Sequence, residues 1–81
     1  MSKLNIFMRE LQKDRDTLRD HAHRREVLAA SYEAGIAGAY LTEAERFAEA
    51  KRMLSMADTE RIQADYADYI LGLAEYVAEG V

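Results

Sequence analysis

Not one of the 81 residues is proline, and glycine occurs only at positions 35, 38, 72 and 80. Proline is the residue that breaks a helix beyond its first turn, and glycine is the next weakest helix former. A chain this poor in breakers folds as long helices wherever its apolar residues recur at helical spacing, and they do so almost throughout. Leu4, Phe7, Met8, Leu11 and Leu18 lie on one helical stripe, and Leu28, Ala29 and Tyr32 restore it further on. Between them, residues 12–26 hold only Leu18 and Ala22 as apolar groups. A break at Thr17, where Thr-Leu-Arg-Asp has the form of a weak capping box, competes with a continuous helix. With no glycine or proline nearby, the continuous reading is preferred: a first helix over 3–34 with a solvated middle.

Gly35-Ile-Ala-Gly38 is the clear punctuation mark. Gly35 is suited to the left-handed conformation that closes a helix. Thr42 with Glu45 three residues later forms a capping box that opens a second helix. Leu41 stands at the staple position, but Arg46 occupies its usual partner site. Phe47, Ala50, Leu54 and Ala57 predict the buried stripe of this helix, with Met53 beside it. Asp58 and Thr59 both suit a cap, so the expectation is a second helix over 43–57 and a third over 60–79. One long helix over 43–79, containing only Gly72 as a weak former, is the alternative. The overall expectation is all-α, a single helical domain over 1–81 built as a small bundle of about three helices.

The amount of core argues for more than one copy. Hydrophobic residues make up 49% of the chain, but 14 are alanine, and Leu, Ile, Val and Phe together number only 17. A domain near this size buries about 60% of its unfolded surface, and small scaffolds usually need a staple. There is no cysteine for a disulfide. Close alanine-mediated packing and homodimerisation are the remaining routes. In the last helix Arg61, Asp65, Asp68, Gly72, Glu75 and Glu79 form a narrow polar stripe. Ile62, Tyr66, Tyr69, Ile70, Leu73, Tyr76 and Val77 cover one side of the remainder; Ala64, Ala67, Leu71, Ala74 and Ala78 cover another. A helix apolar over this much of its circumference needs covering on two sides.

Several function classes find little support. No apolar run reaches the roughly 18 residues of a membrane span, and residues 1–30 are too charged for a signal peptide, so a cytosolic location is expected. His21 and His23 diverge on a helix. Asp16, Asp20 and His23 share a face, but each acid has a basic neighbour, and the face reads as solvated surface; no metal or cofactor is expected. There is no thiol, no phosphate-cradling glycine loop and no histidine with a local serine partner, so no enzyme is expected. Residues 1–28 carry seven positive and five negative charges, and residues 29–81 carry four and ten. The basic first helix makes a nucleic-acid-associated dimer the alternative, with Arg15, Arg19 and Arg24 as contacts, although interleaved acids would repel phosphates.

The leading expectation is a non-enzymatic module that binds a partner protein stoichiometrically. Tyr66, Tyr69 and Tyr76 are the candidate anchors, because rigid aromatics with a polar tip dominate interface energetics. Asp65, Asp68 and Glu75 are the candidate acidic rim. In size and style the chain is like adapters, antitoxins and phage-encoded inhibitors of host machinery, anti-CRISPR proteins among them, and no motif ties it to any one of these.

Overall fold

The computed structural model describes residues 2–80, and they form a helical hairpin. Helix α1 spans Lys3–Glu33 and helix α2 spans Glu43–Glu79. The two lie antiparallel in a rod with extents of 59 × 18 × 13 Å. The all-helical class and the first helix agree with the sequence reading. The three-helix count does not: residues 43–79 run as one helix, with no break at Asp58-Thr59. Thr59 is an ordinary interior residue whose hydroxyl donates back to the Ser55 carbonyl at 3.2 Å. Capping types at two adjacent positions do not end a helix when the backbone hydrogen bonds continue and the face packed on α1 passes through unbroken.

The turn is built as the glycines require. Gly35 and Gly38 have φ of +78° and +66°, values that L side chains resist. The Gly35 N–H donates to the Tyr32 carbonyl at 3.1 Å and the Ile36 N–H to Ser31 at 2.9 Å. That pair of bonds is the Schellman closure of a helix C-terminus. Gly38 is doubly constrained, because an added Cβ would sit 2.7 Å from the Tyr32 ring. Thr42 then caps α2: its hydroxyl accepts from the Glu45 N–H at 3.2 Å, and the Glu45 carboxylate accepts from the Thr42 N–H at 3.1 Å. Arg46, at the position where a hydrophobic staple would close on Leu41, instead donates to the Leu41 carbonyl at 3.0 Å.

The packed faces follow a seven-residue repeat that sequence reading did not isolate. On α1 the buried and half-buried positions include Leu4, Met8, Leu11, Arg15, Leu18, Ala22, Arg25, Ala29 and Tyr32; on α2 they include Arg46, Ala50, Met53, Ala57, Glu60, Ala64, Ala67, Leu71 and Ala74. Both series alternate steps of four and three, the seam of an antiparallel coiled coil. Ala29, Ala50 and Met53 form a cluster with Tyr32 packed against it. Stepping outward from that cluster in opposite directions along the helices pairs Arg25 with Ala57, Ala22 with Glu60, Leu18 with Ala64, Arg15 with Ala67 and Met8 with Ala74. Almost every layer sets an alanine against a long side chain. Among the described residues, seven of the nine that are buried are alanine, and no large side chain is fully buried.

This pattern corrects the buried stripes expected from spacing. Phe7 and Phe47 are each 49% exposed, and Leu54 is 40% exposed, because they lie one step off the seam. The middle of α1 is also not simply solvated: Arg15, Leu18, Arg19, Ala22, Arg25 and Glu26 all turn partly or wholly inward.

Ala57 has no exposed surface and stands at a seam position packed on α1. Ala57→Leu is expected to destabilise the fold by about 1–3 kcal/mol, the range for overpacking a close seam. Ala48→Leu, on an exposed position of the same helix, is expected to stay within about 0.5 kcal/mol. Urea denaturation followed by circular dichroism distinguishes the two.

Candidate interaction surface

Eight charged residues in the middle of the hairpin pair across the two helices. Asp68 on α2 accepts from the Arg15 guanidinium at 2.8 Å and also from Arg19, and Asp65 stands 3.6 Å from Arg19. One heptad along on the same edge the polarity reverses, and Arg61 of α2 donates to Glu26 of α1. This reversal fixes the register. Sliding the helices by one heptad would set Arg19 against Arg61, or Glu26 against Asp68, and like charges at these distances are unfavourable. In the seam, Glu60 takes Arg25, and His21 Nδ1 lies 3.6 Å from the same carboxylate.

These contacts shift the titration of the acids. The Arg15 and Arg19 guanidiniums hold the Asp68 carboxyl below its ordinary value of 3.8. Arg61 does the same to Glu26, below its ordinary 4.5. Asp68 in turn raises Arg15 further above its already high value.

The residues expected as a site are therefore divided. Arg15, Arg19 and Arg24, the candidate phosphate contacts, each stand against a carboxylate, Arg24 meeting Asp20 at 3.1 Å. That leaves less free positive charge for a polyanion. Asp68 lies on the edge of α2 next to α1, and Glu75, one heptad on, shares that edge. Of the three expected rim acids only Asp65 borders the tyrosines. Asp16 pairs with Arg15 at 3.1 Å, and among the described residues no three His, Asp or Glu side chains are grouped to hold a metal ion. A groove of about 310 Å³ between the helices is lined by His21, Arg24, Arg25, Leu28 and Met53. Its two arginines are already paired with Asp20 and Glu60. Among the described residues, no helix is long and apolar enough to cross a membrane.

The three tyrosines stay together and stay outside. Tyr66, Tyr69 and Tyr76 are 64%, 63% and 77% exposed. The rings of Tyr66 and Tyr69 stack with centroids 6.4 Å apart and planes 28° apart. Ile62 and Leu73, at 69% and 49% exposure, complete the row. Ile62, Tyr66, Tyr69, Leu73 and Tyr76 alternate steps of four and three, as the inner seam does, on the side of α2 turned away from α1. They form a second seam, on the side of α2 that the sequence already separates from the alanines. The same face nearer the turn carries Glu45, Ala48, Arg52, Ser55 and Thr59, so the apolar row is confined to the C-terminal half. On α1 the exposed large groups fall in two separate pairs, Ile6 with Phe7 and Val27 with Leu28, and make no comparable row.

The depressed carboxyls set a direction for pH dependence. A group whose folded pKa is lowered contributes stability above its unfolded value, and that contribution is lost as pH falls through the folded one. The melting temperature is expected to be level between pH 5 and 8 on account of Asp68 and Glu26 and to fall below about pH 4.5, near the ordinary carboxyl range. Asp68→Asn is expected to lower the melting temperature at pH 7 and to reduce the acid dependence. An equal loss at pH 7 and at pH 2 would show that the ion pairs are not responsible.

Comparison of the chain with protein-family models, curated proteins and solved structures finds no match.

Proposed function

We propose that this protein is a non-enzymatic interaction module that works by pairing one helical face with another protein, stoichiometrically and without chemistry. The observation that supports this reading is the second seam. Five large apolar side chains occupy successive heptad positions of a continuous helix, and the hairpin that they belong to leaves them in water. Isolated apolar residues on a surface are ordinary, but a contiguous row is a mark of association. Its periodicity specifies the kind of contact, since a four–three row on a helix is complemented by another helix carrying the same pattern.

The scaffold suits that task. An alanine seam and the ion pairs of Glu60, Arg61, Asp65 and Asp68 with α1 hold α2 against its partner helix. The stacked pair of Tyr66 and Tyr69 presents large area at small cost in rotamer freedom. Asp65, at the border of the row, supplies charge that steers approach more than it adds affinity. A second apolar spot at the turn, Ile36 and Tyr40 at 79% and 87% exposure, lies at the opposite end of α2 and is not part of this row.

The test is affinity capture from the native cell with the whole chain as bait, followed by mass spectrometry and measurement of the affinity for the captured polypeptide. Tyr66→Ala, Tyr69→Ala and Tyr76→Ala are compared after each has shown the helical content of the wild type. At least one is expected to cost about 2 kcal/mol or more, the loss typical of an interface anchor. Full retention of binding by all three folded variants would refute the outer face of α2 as the contact.

A further inference from the structure

We infer that the outer seam of α2 pairs with the outer seam of a second copy, antiparallel, so that two hairpins join through their C-terminal halves. This rests on the helix-pairing reading above and names the occupant of that face. Three independent features carry it.

The first is where the seam stops. An in-register parallel pairing would continue the contact past Thr59 and set Arg52 against its own copy, and Glu45 likewise, at the positions that belong inside. An antiparallel pairing centred near residue 71 covers residues 66–76 with residues 76–66, sets Ile62 at the rim beside the end of the second copy's helix, and leaves the polar half of each helix in solvent. The stretch from Tyr66 to Tyr76 is then self-complementary. Leu73 of one copy meets Tyr69 of the other, Tyr66 meets Tyr76, and an aliphatic or aromatic group fills each layer.

The second is Gly72. In a helix interior glycine costs roughly 1 kcal/mol relative to alanine. Nothing within the hairpin calls for it, since an added Cβ would meet no atom within 4 Å. It sits on the border of the outer seam between Asp65 and Glu79. In the antiparallel register centred near residue 71, Gly72 lies beside the Gly72 of the second copy, where a bare backbone permits close approach. The same register brings Ile70 of each copy together on the opposite border.

The third is size. The seam residues with Val77 offer roughly 700 Å² of side-chain surface per copy, taking an aromatic side chain as ~200 Å². A standard interface takes about 800 Å² per partner. A match to the seam therefore reaches the lower end of specific interfaces, and it supplies the large buried side chains that the hairpin alone lacks. The expected product is a reversible dimer that dissociates on dilution.

The experiment uses the full chain in sedimentation equilibrium from about 1 to 300 μM. The expected result is a mass rising from 9.2 kDa toward twice that value. Leu73→Glu and Tyr76→Glu, both outside the hairpin core, are each expected to retain helical circular dichroism and remain monomeric. Because the chain has no cysteine, orientation is read by mixing Asp65→Cys and Glu79→Cys variants under mild oxidation. Antiparallel pairing predicts the mixed disulfide; a predominance of the two like disulfides overturns the orientation. A dimer that persists undiminished in both glutamate variants overturns the seam as its interface. A monomer at every concentration overturns the second copy as occupant while leaving the helix-pairing reading to the capture experiment, so the two failures are distinguishable.

Discussion

Alanine in almost every layer sets the distance between the two helices, and the rest of the structure follows from that distance. Helix axes approach to about 8–10 Å according to the side chains between them, and methyl groups select the short end. Ala22 and Ala29 on α1 and Ala50, Ala57 and Ala64 on α2 recur at intervals of seven residues, so the close approach is sustained along the rod. A narrow seam cannot enclose large groups on both sides. Long residues in it are met by an alanine, Leu11 and Leu71 excepted, and those with charged ends run their stems along the seam and place the charge at its edge. This is how Arg15, Arg25 and Glu60 occupy packing positions without an unsatisfied buried polar side chain among the described residues.

Two consequences divide the surfaces of α2. On the side of α1, charges emerging from the seam pair across it, and the alternating order of Arg19–Asp68 and Glu26–Arg61 makes the observed register distinct from its neighbours. On the far side, the aromatic residues that a conventional core would have claimed are left out. Tyr66, Tyr69 and Tyr76 would force the helices apart if they faced α1, and the alanines opposite them on the helix would then face water and contribute little burial. The protein is thus closed internally by its smallest apolar residues and open externally through its largest. The outer row keeps the periodicity of a packing seam, which is why association through it is the function proposed.

The all-helical class, the first helix, the turn and the capping box at Thr42 were legible because they rest on local chemistry: glycine at positive φ, Thr42 and Glu45 at capping spacing, and an absence of breakers. The two apolar sides of the C-terminal half were legible too, including which residues belonged to each. What spacing did not reveal was which side faced inward, since hydrophobicity favours the tyrosines and leucines over the alanines. The seam was further hidden because Arg15, Arg25, Arg46 and Glu60 stand at packing positions, and a search for apolar stripes passes over them in favour of Phe7, Phe47 and Leu54. The boundary expected at Asp58-Thr59 failed for a related reason: cap preference is local, whereas continuity of α2 is enforced by Ala57, Glu60 and Ala64 packing on one unbroken partner. The acidic rim was misplaced in part because Asp68 and Glu75 follow the edge of the inner seam, where only an interhelical view shows Arg15 and Arg19 waiting.

The direction in which α2 is turned is the claim on which everything else depends, and nuclear Overhauser contacts measure it directly. In methyl-labelled protein, contacts are expected between the Ala29 and Met53 methyl groups and between the Leu18 and Ala64 methyl groups, with none from the rings of Tyr66, Tyr69 or Tyr76 to any side chain of α1. Pairing through the outer seam adds contacts from these rings to Leu73 and Ile62 of another α2, and still none to α1. Ring contacts from Tyr69 to Leu11 or Leu18, with the Ala57 and Ala64 methyl groups free of α1, would mean that α2 is rotated by half a turn and would contradict the account.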